Sequence, residues 1–145
     1  MQEITRPDGQ PYRAKNSFTY VTPDLGASLG AAGSTTFSFN IDGDSDFFWT
    51  KLTAFANVAN DGTTYSAQDL PGVTVLITNN TTGRNYSNGP VALAGMAGTA
   101  LLPFIMPMMT YWASKSTITI AVANITDAIT YTRLQLQFHG IKGYL

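Results

Sequence analysis

The chain has no cysteine and a single histidine, His139, in 145 residues. Without cysteine there is no disulfide, no thiolate metal site and no thiol redox chemistry. One imidazole cannot furnish a metal site of the kind built from several histidines. A hydrolytic triad needs a base held by a carboxylate beside a nucleophile, and with one histidine no such constellation stands out in the sequence. Glutamate is nearly absent too, Glu3 being the only one, so no pair of carboxylates stands out for general acid–base work. Charge of either sign is scarce. Asp, Glu, Lys and Arg make up 12% of the chain, against about 25% in ordinary soluble domains. The net charge of −1 offers no polyelectrolyte drive toward nucleic acid. No charge occurs between Arg84 and Lys115, but Gly95, Gly98, Pro103 and Pro107 interrupt the apolar part, Val91 to Trp112. That segment is read as part of a β-rich domain and not as a membrane span. Residues 1–16 are polar with no apolar h-region and are not read as a secretory signal.

What replaces the missing charge is Thr, Ser, Asn and Gly, a composition suited to strands and turns. Residues 1–16 carry the turn signals Pro7-Asp8-Gly9 and Pro11 and no periodicity, and are read as an N-terminal arm. Residues 17–145 are read as one domain. Phe18 and Tyr20 open a short strand that Pro23 ends. Phe37, Phe39 and Ile41 alternate with Thr36, Ser38 and Asn40, the period of a strand with one buried face. Phe48 to Val58 is a longer strand, with Phe48, Leu52, Ala54, Ala56 and Val58 assigned to one face and Trp49, Lys51, Thr53 and Phe55 to the other. Val73, Val75 and Ile77, then Ile118, Ile120 and Val122, then Leu134, Leu136 and Phe138 repeat the alternation. Arg84 to Ser87 is a short strand between turns. Val91 to Ala100 is the only candidate helix. Several short strands punctuated by turn residues predict an all-β sandwich, jelly roll or barrel.

Few residues invite a chemical reading. Asp42-Gly43-Asp44-Ser45-Asp46 places oxygens at alternate positions like the start of a calcium loop. Phe47 and Thr53 stand where the EF-hand requires Gly and Glu, so the segment is read as a polar turn. Asp24, Asp61, Asp69 and Asp127 are read as turn or cap residues. His139 is read as a strand-end residue. Four Asn-x-Ser/Thr sequons, at Asn79, Asn80, Asn85 and Asn124, follow from composition. No metal and no cofactor are expected, and the chain is not expected to be an enzyme. The segment Leu101 to Trp112 is different. Its prolines keep it out of a central strand, which leaves an edge strand bent by proline or a buried connection. Uncharged Met and aromatic side chains also suit a partner surface. The candidate interface residues are therefore Leu101, Leu102, Phe104, Ile105, Met106, Met108, Met109, Tyr111 and Trp112.

From Phe48 to Lys142 an ordered set of pieces is similar to a known family. The pieces are Phe47-Phe48-Trp49-Thr50-Lys51-Leu52, then Thr82-Gly83-Arg84, then Leu102-Pro103-Phe104 with Pro107 beyond. Ser116-Thr117-Ile118-Thr119-Ile120 follows, leading to Asn124-Ile125-Thr126, and last comes Leu134-Gln135-Leu136-Gln137-Phe138-His139-Gly140-Ile141-Lys142. In order and spacing they resemble the capsid decoration, or cement, proteins of tailed bacteriophages. The resemblance covers about two-thirds of the chain. It implies a single antiparallel β-sandwich of jelly-roll type and association into dimers or trimers. It also implies attachment to the major capsid protein on the outer surface of the virion, where such a protein stabilises contacts between capsomers, without nucleic acid or membrane as partner. Two rival readings stand beside it. Trp49, Tyr65, Tyr86, Tyr111 and Trp112 could supply the platform of a carbohydrate-binding or tail-tip recognition module. A hydrolase built on His139 is the third.

Overall fold

A computed structural model describes residues 4–25, 29–59, 65–67, 72–98, 104–126 and 129–145. The strands are β1 (Ala14–Val21), β2 (Ser34–Asn40), β3 (Ser45–Ala59), β4 (Tyr65–Ala67), β5 (Val73–Asn79), β6 (Arg84–Asn85), β7 (Val91–Ala92), β8 (Phe104–Trp112), β9 (Thr117–Asn124) and β10 (Tyr131–Tyr144). They form two antiparallel sheets packed face to face. One runs β1-β10-β3 with β4 and β8 sharing the far edge of β3, and the other runs β2-β9-β5 with β6 and β7 sharing the far edge of β5. The expected all-β sandwich is what the chain adopts. Over its described residues the helix candidate yields the short strand β7 and a 3₁₀ turn, Leu93–Gly95, because its two glycines favour coil over helix while Leu93 is drawn into the core.

Period-two alternation explains most of the core. Val73, Val75 and Ile77 of β5, Ile118, Ile120 and Val122 of β9, and Leu134, Leu136 and Phe138 of β10 are all buried between the sheets. Their alternate neighbours face outward. Aromatic rings fill the middle. Trp49 and Trp112 stack with centroids 5.2 Å apart, and Phe138 meets Trp49 edge-on at 5.3 Å. Such pairs add about 0.5–1.5 kcal/mol each beyond the area they bury.

The expected facing of β3 is corrected in its first half. Phe47 and Trp49 point into the core and Phe48 points out. Leu52 and Ala56 then point in. The switch is a β-bulge. Trp49 pairs with Gly140 and Lys51 with His139, so Thr50 is an extra residue with no partner and reverses the parity of everything before it. The Thr50 hydroxyl donates to the His139 carbonyl at 3.1 Å, which satisfies that carbonyl at the break. Gly140 is required here. A Cβ on it would sit 2.1 Å from the Phe48 carbonyl oxygen and 2.6 Å from the Phe47 ring.

The stretch read as an arm lies on the sandwich over its described part. β1 begins at Ala14, inside that stretch, and the Arg13 amide donates to the Tyr144 carbonyl at 3.0 Å. Ile4 and Tyr12 are buried against Phe48 in a second, smaller apolar cluster on the outer face of the first sheet.

Candidate interaction surface

β8 is the edge strand bent by proline that the sequence allowed. Trp112, Tyr111 and Thr110 pair with Phe47, Phe48 and Trp49, and Ile105 and Phe104 pair with Lys51 and Leu52. Met106 to Met109 therefore bow away opposite the single residue Thr50. Pro107 sits in this bow, where its missing N–H costs no ladder bond.

The candidate residues separate into groups. Leu101 and Leu102 lie outside the described residues, and so does the side chain of Phe104. Ile105, Met108 and Tyr111 are exposed, Met108 at 71%. Met106 is half-buried against the main core, and Met109 against the Ile4–Tyr12–Phe48 cluster. Trp112 is enclosed in the core, and its indole N–H donates to the Tyr86 hydroxyl. Adjacent strand residues face opposite ways, so Tyr111 and Trp112 could not both be surface residues. The exposed part of β8 is thus an apolar ridge of Ile105, Met108 and Tyr111, backed by the buried Phe48 ring 5.4 Å from Tyr111. Sequence reading missed Ile4, Tyr12 and Phe48 as the buried cluster beneath it. The signal was available, since three successive aromatics, Phe47-Phe48-Trp49, cannot share one face of a strand.

The Tyr111 phenol on this surface stays neutral at physiological pH. Asp46 is buried and accepts from the Tyr12 hydroxyl and the Ser114 amide, each at 2.8 Å. Burial first, and then Asp46, pushes the Tyr111 phenol up to about 12 and that of Tyr12 higher still. The aspartates that resembled a calcium loop diverge. Asp46 serves Tyr12 and Ser114, Asp42 pairs with the Lys142 ammonium, and Asp44 is exposed. No group of three metal-ligating side chains forms among the described residues.

His139 lies on the outer face of the same sheet, in a shallow cleft with Ser17, Thr19, Thr50 and Lys51. Among the described residues no carboxylate lines that cleft. The ring is the end of a hydrogen-bonded chain whose direction can be worked out. The Thr22 carbonyl can only accept, so Gln135 Nε2 donates to it at 3.2 Å. Gln135 Oε1 then accepts from Gln137 Nε2 at 3.2 Å, and Gln137 Oε1 from the Thr53 hydroxyl at 2.9 Å. Thr53 has no proton left, so His139 Nε2–H donates to it at 2.8 Å. Nδ1 of the neutral ring then accepts from Thr19 at 3.0 Å. Burial, and secondarily the Lys51 charge, lowers the His139 pKa. A neutral imidazole tied to two threonines lacks the orienting carboxylate of a triad.

The aromatic platform of the carbohydrate reading is not assembled. Trp49 and Trp112 are fully buried, Tyr86 is half-buried beneath Trp112, and the side chain of Tyr65 is outside the described residues. Asn124 is buried as well. Its amide donates to the carbonyls of Leu29, Gly30 and Ile129 and its oxygen accepts from Thr126, so this sequon is a structural bracket. No protein-family model matches the chain, and no curated protein matches its sequence.

Proposed function

We propose that this chain is a non-enzymatic structural subunit of a phage virion that binds the outside of the capsid and stabilises contacts between capsomers. The observation that carries the reading is the ridge of Ile105, Met108 and Tyr111 on the bowed edge strand β8. These side chains are exposed, uncharged and mounted on an aromatic core. The flexible Met108 side chain adapts to a partner while the base of the ridge stays rigid. The strand orders support the jelly-roll part of the reading. β1-β10-β3-β8 facing β2-β9-β5 with β6 and β7 is the arrangement two interleaved Greek keys produce. The resemblance of the segment from Phe48 to Lys142 to cement proteins supplies the identity of the partner, the major capsid protein.

A capsid pressed outward by packaged genome yields where capsomers separate. A small oligomer gripping several capsomers opposes this, because its contacts act as one multivalent attachment. Each specific contact needs on the order of 1,200–2,000 Å² of buried surface, more than three side chains provide, so neighbouring residues of the first sheet must share it. The test is co-sedimentation of the purified protein with undecorated heads. Wild type should saturate the heads. Ile105→Asp/Met108→Asp should lose binding at least tenfold with an unchanged melting temperature. Equal binding by that variant would overturn the assignment of the ridge, and failure of wild type to bind any head would overturn the reading itself.

A further inference from the structure

Sheet edges are where a β-sandwich can join another chain, and proteins normally blunt them with charge, proline, bulges or shortness. Most edges here are blunted. β8 is bowed around Pro107, β6 and β7 have two residues each, and β4 has three. β1 carries Lys15 and follows Arg13. β2 has none of these devices among the described residues. Its seven residues, Ser-Thr-Thr-Phe-Ser-Phe-Asn, hold no charge, no proline and no register shift.

The backbone of β2 can be accounted for group by group. The Ile41 amide donates to Ser116 and the Asn124 amide to Gly33, which sets the phase of the ladder with β9. Hydrogen-bonded pairs alternate along an antiparallel pair, so Thr35, Phe37 and Phe39 bond to β9. The N–H and C=O groups of Ser34, Thr36, Ser38 and Asn40 point away from it, into the open edge. The side chains divide the same way. Ser34, Thr36, Ser38 and Asn40 are exposed on the outer face, while Thr35, Phe37 and Phe39 turn inward and remain half-exposed at the rim.

We infer that β2 is a dimerisation edge that takes the β2 strand of a second copy, antiparallel, about a two-fold axis at Phe37. This deepens the self-association part of the proposed function. It rests on that part and not on the identity of the capsid. The occupant follows from the strand's own symmetry. With the axis at Phe37, Ser34 lies opposite Asn40 of the copy and Thr36 opposite Ser38. Those four residues carry the outward backbone groups, so every outward N–H meets an outward C=O. The outer-face side chains then form hydrogen-bonding pairs with no like charges opposed. On the inner face Phe37 meets its own copy at the close, non-hydrogen-bonded position and Thr35 meets Phe39. The half-exposed rings, stacked 6.4 Å apart within one chain, are thereby covered and the core becomes continuous across the junction. A net charge of −1 opposes the union of two copies very little.

The test is the molar mass by light scattering over a dilution series, with melting temperature as the check on folding. Wild type should be a dimer at high concentration and dissociate on dilution. Thr36→Lys/Ser38→Lys places lysines directly opposite one another twice and should weaken the dimer at least a hundredfold. A second measurement fixes the register and does not depend on that variant folding. The chain has no native cysteine. Thr36→Cys mixed with Ser38→Cys should form an interchain disulfide, because facing Cα atoms lie about 5.5 Å apart. Either variant alone should not, because like-numbered positions are offset by two residues. A wild type that stays monomeric at every concentration, or a dimer unmoved by the paired lysines, or cross-links equally strong within each single variant, would overturn the inference. Co-sedimentation with heads separates the two claims. Binding that persists in a dimer-defective or monomeric protein leaves the capsid reading standing while the β2 dimer falls.

Discussion

Lys142 offers a perturbation whose outcome has a definite sign pattern. Its position on β10 follows the inward phase of Phe138 and Gly140, and its side chain is only 5% exposed. The ammonium pairs with Asp42 and lies 3.6 Å from the centre of the Phe18 ring. Asp42 is the exposed partner, its side chain 51% accessible. Removing one member of a fully buried pair costs about 3–5 kcal/mol, because the other charge is left desolvated. Here water can reach the vacated carboxylate site, so Asp42→Ala should cost less, about 2–3 kcal/mol. Lys142→Met is the opposite case. The stranded carboxylate is already half in water, and the thioether keeps the aliphatic stem and the contact with Phe18 and Tyr20. That variant should lie within about 1 kcal/mol of wild type. The double variant should recover most of the loss caused by Asp42→Ala, since the buried charge is then gone. For a domain of this length 1 kcal/mol moves the melting temperature by about 2–4 °C, so the cycle is readable by thermal melts monitored by circular dichroism. The pH dependence carries the same signature. Burial works against the lysine charge, but the hydrogen bond to Asp42 and the negative groups around it outweigh burial and raise the pKa. The stabilisation is therefore complete below the ordinary lysine value and fades only as pH rises through the raised one. If Lys142→Met destabilises as much as Asp42→Ala, or the double variant shows no recovery, the account of this pair is refuted.

Gly140→Ala should be destabilising by about 3 kcal/mol or more, because its Cβ would meet the Phe48 carbonyl, part of the backbone that defines the bulge. Gly143→Ala has the Tyr12 ring as its nearest neighbour, at 2.7 Å, a side chain and not backbone, and should cost clearly less by displacing that ring. Urea unfolding of the two variants compares them, and equal losses would show that the bulge is not the rigid point. His139 predicts an acid-side effect. Its pKa is lowered by burial and then by Lys51, so its contribution is full above the ordinary imidazole value and declines as pH falls. Wild-type stability should therefore drop between about pH 7 and pH 5.5, before carboxylates begin to titrate. His139→Asn should flatten the profile over that interval, and an unchanged slope would place the titration elsewhere.

Strands β2, β5, β9 and β10 were legible because each shows one face to the core and one to water, and the polar and apolar residues record that directly. β3 was legible as a strand but not in its facing. Its first half is covered on both sides, by the main core and by Ile4 and Tyr12, so Phe47, Phe48 and Trp49 carry no contrast that says which way each points. Only the pairing of Trp49 with Gly140 and Lys51 with His139 decides it. The same holds for Tyr111 and Trp112. Both suited a partner surface by composition, and the strand period requires that one of them be inside. Which one follows from the register with Phe47, a contact between residues 65 positions apart in the chain (112 minus 47). The polar chain from Thr22 to His139 was hidden for a similar reason. It links β1, β3 and β10, and Gln, Thr and His at those positions read as ordinary outward residues until the register aligns them. The β2 edge differs from all of these. Its uncharged alternation was visible at once, yet an alternation is the same for a central strand and an edge strand. The topology, by leaving one side of β2 unpaired among the described residues, turns an unremarkable pattern into a surface with one self-complementary register.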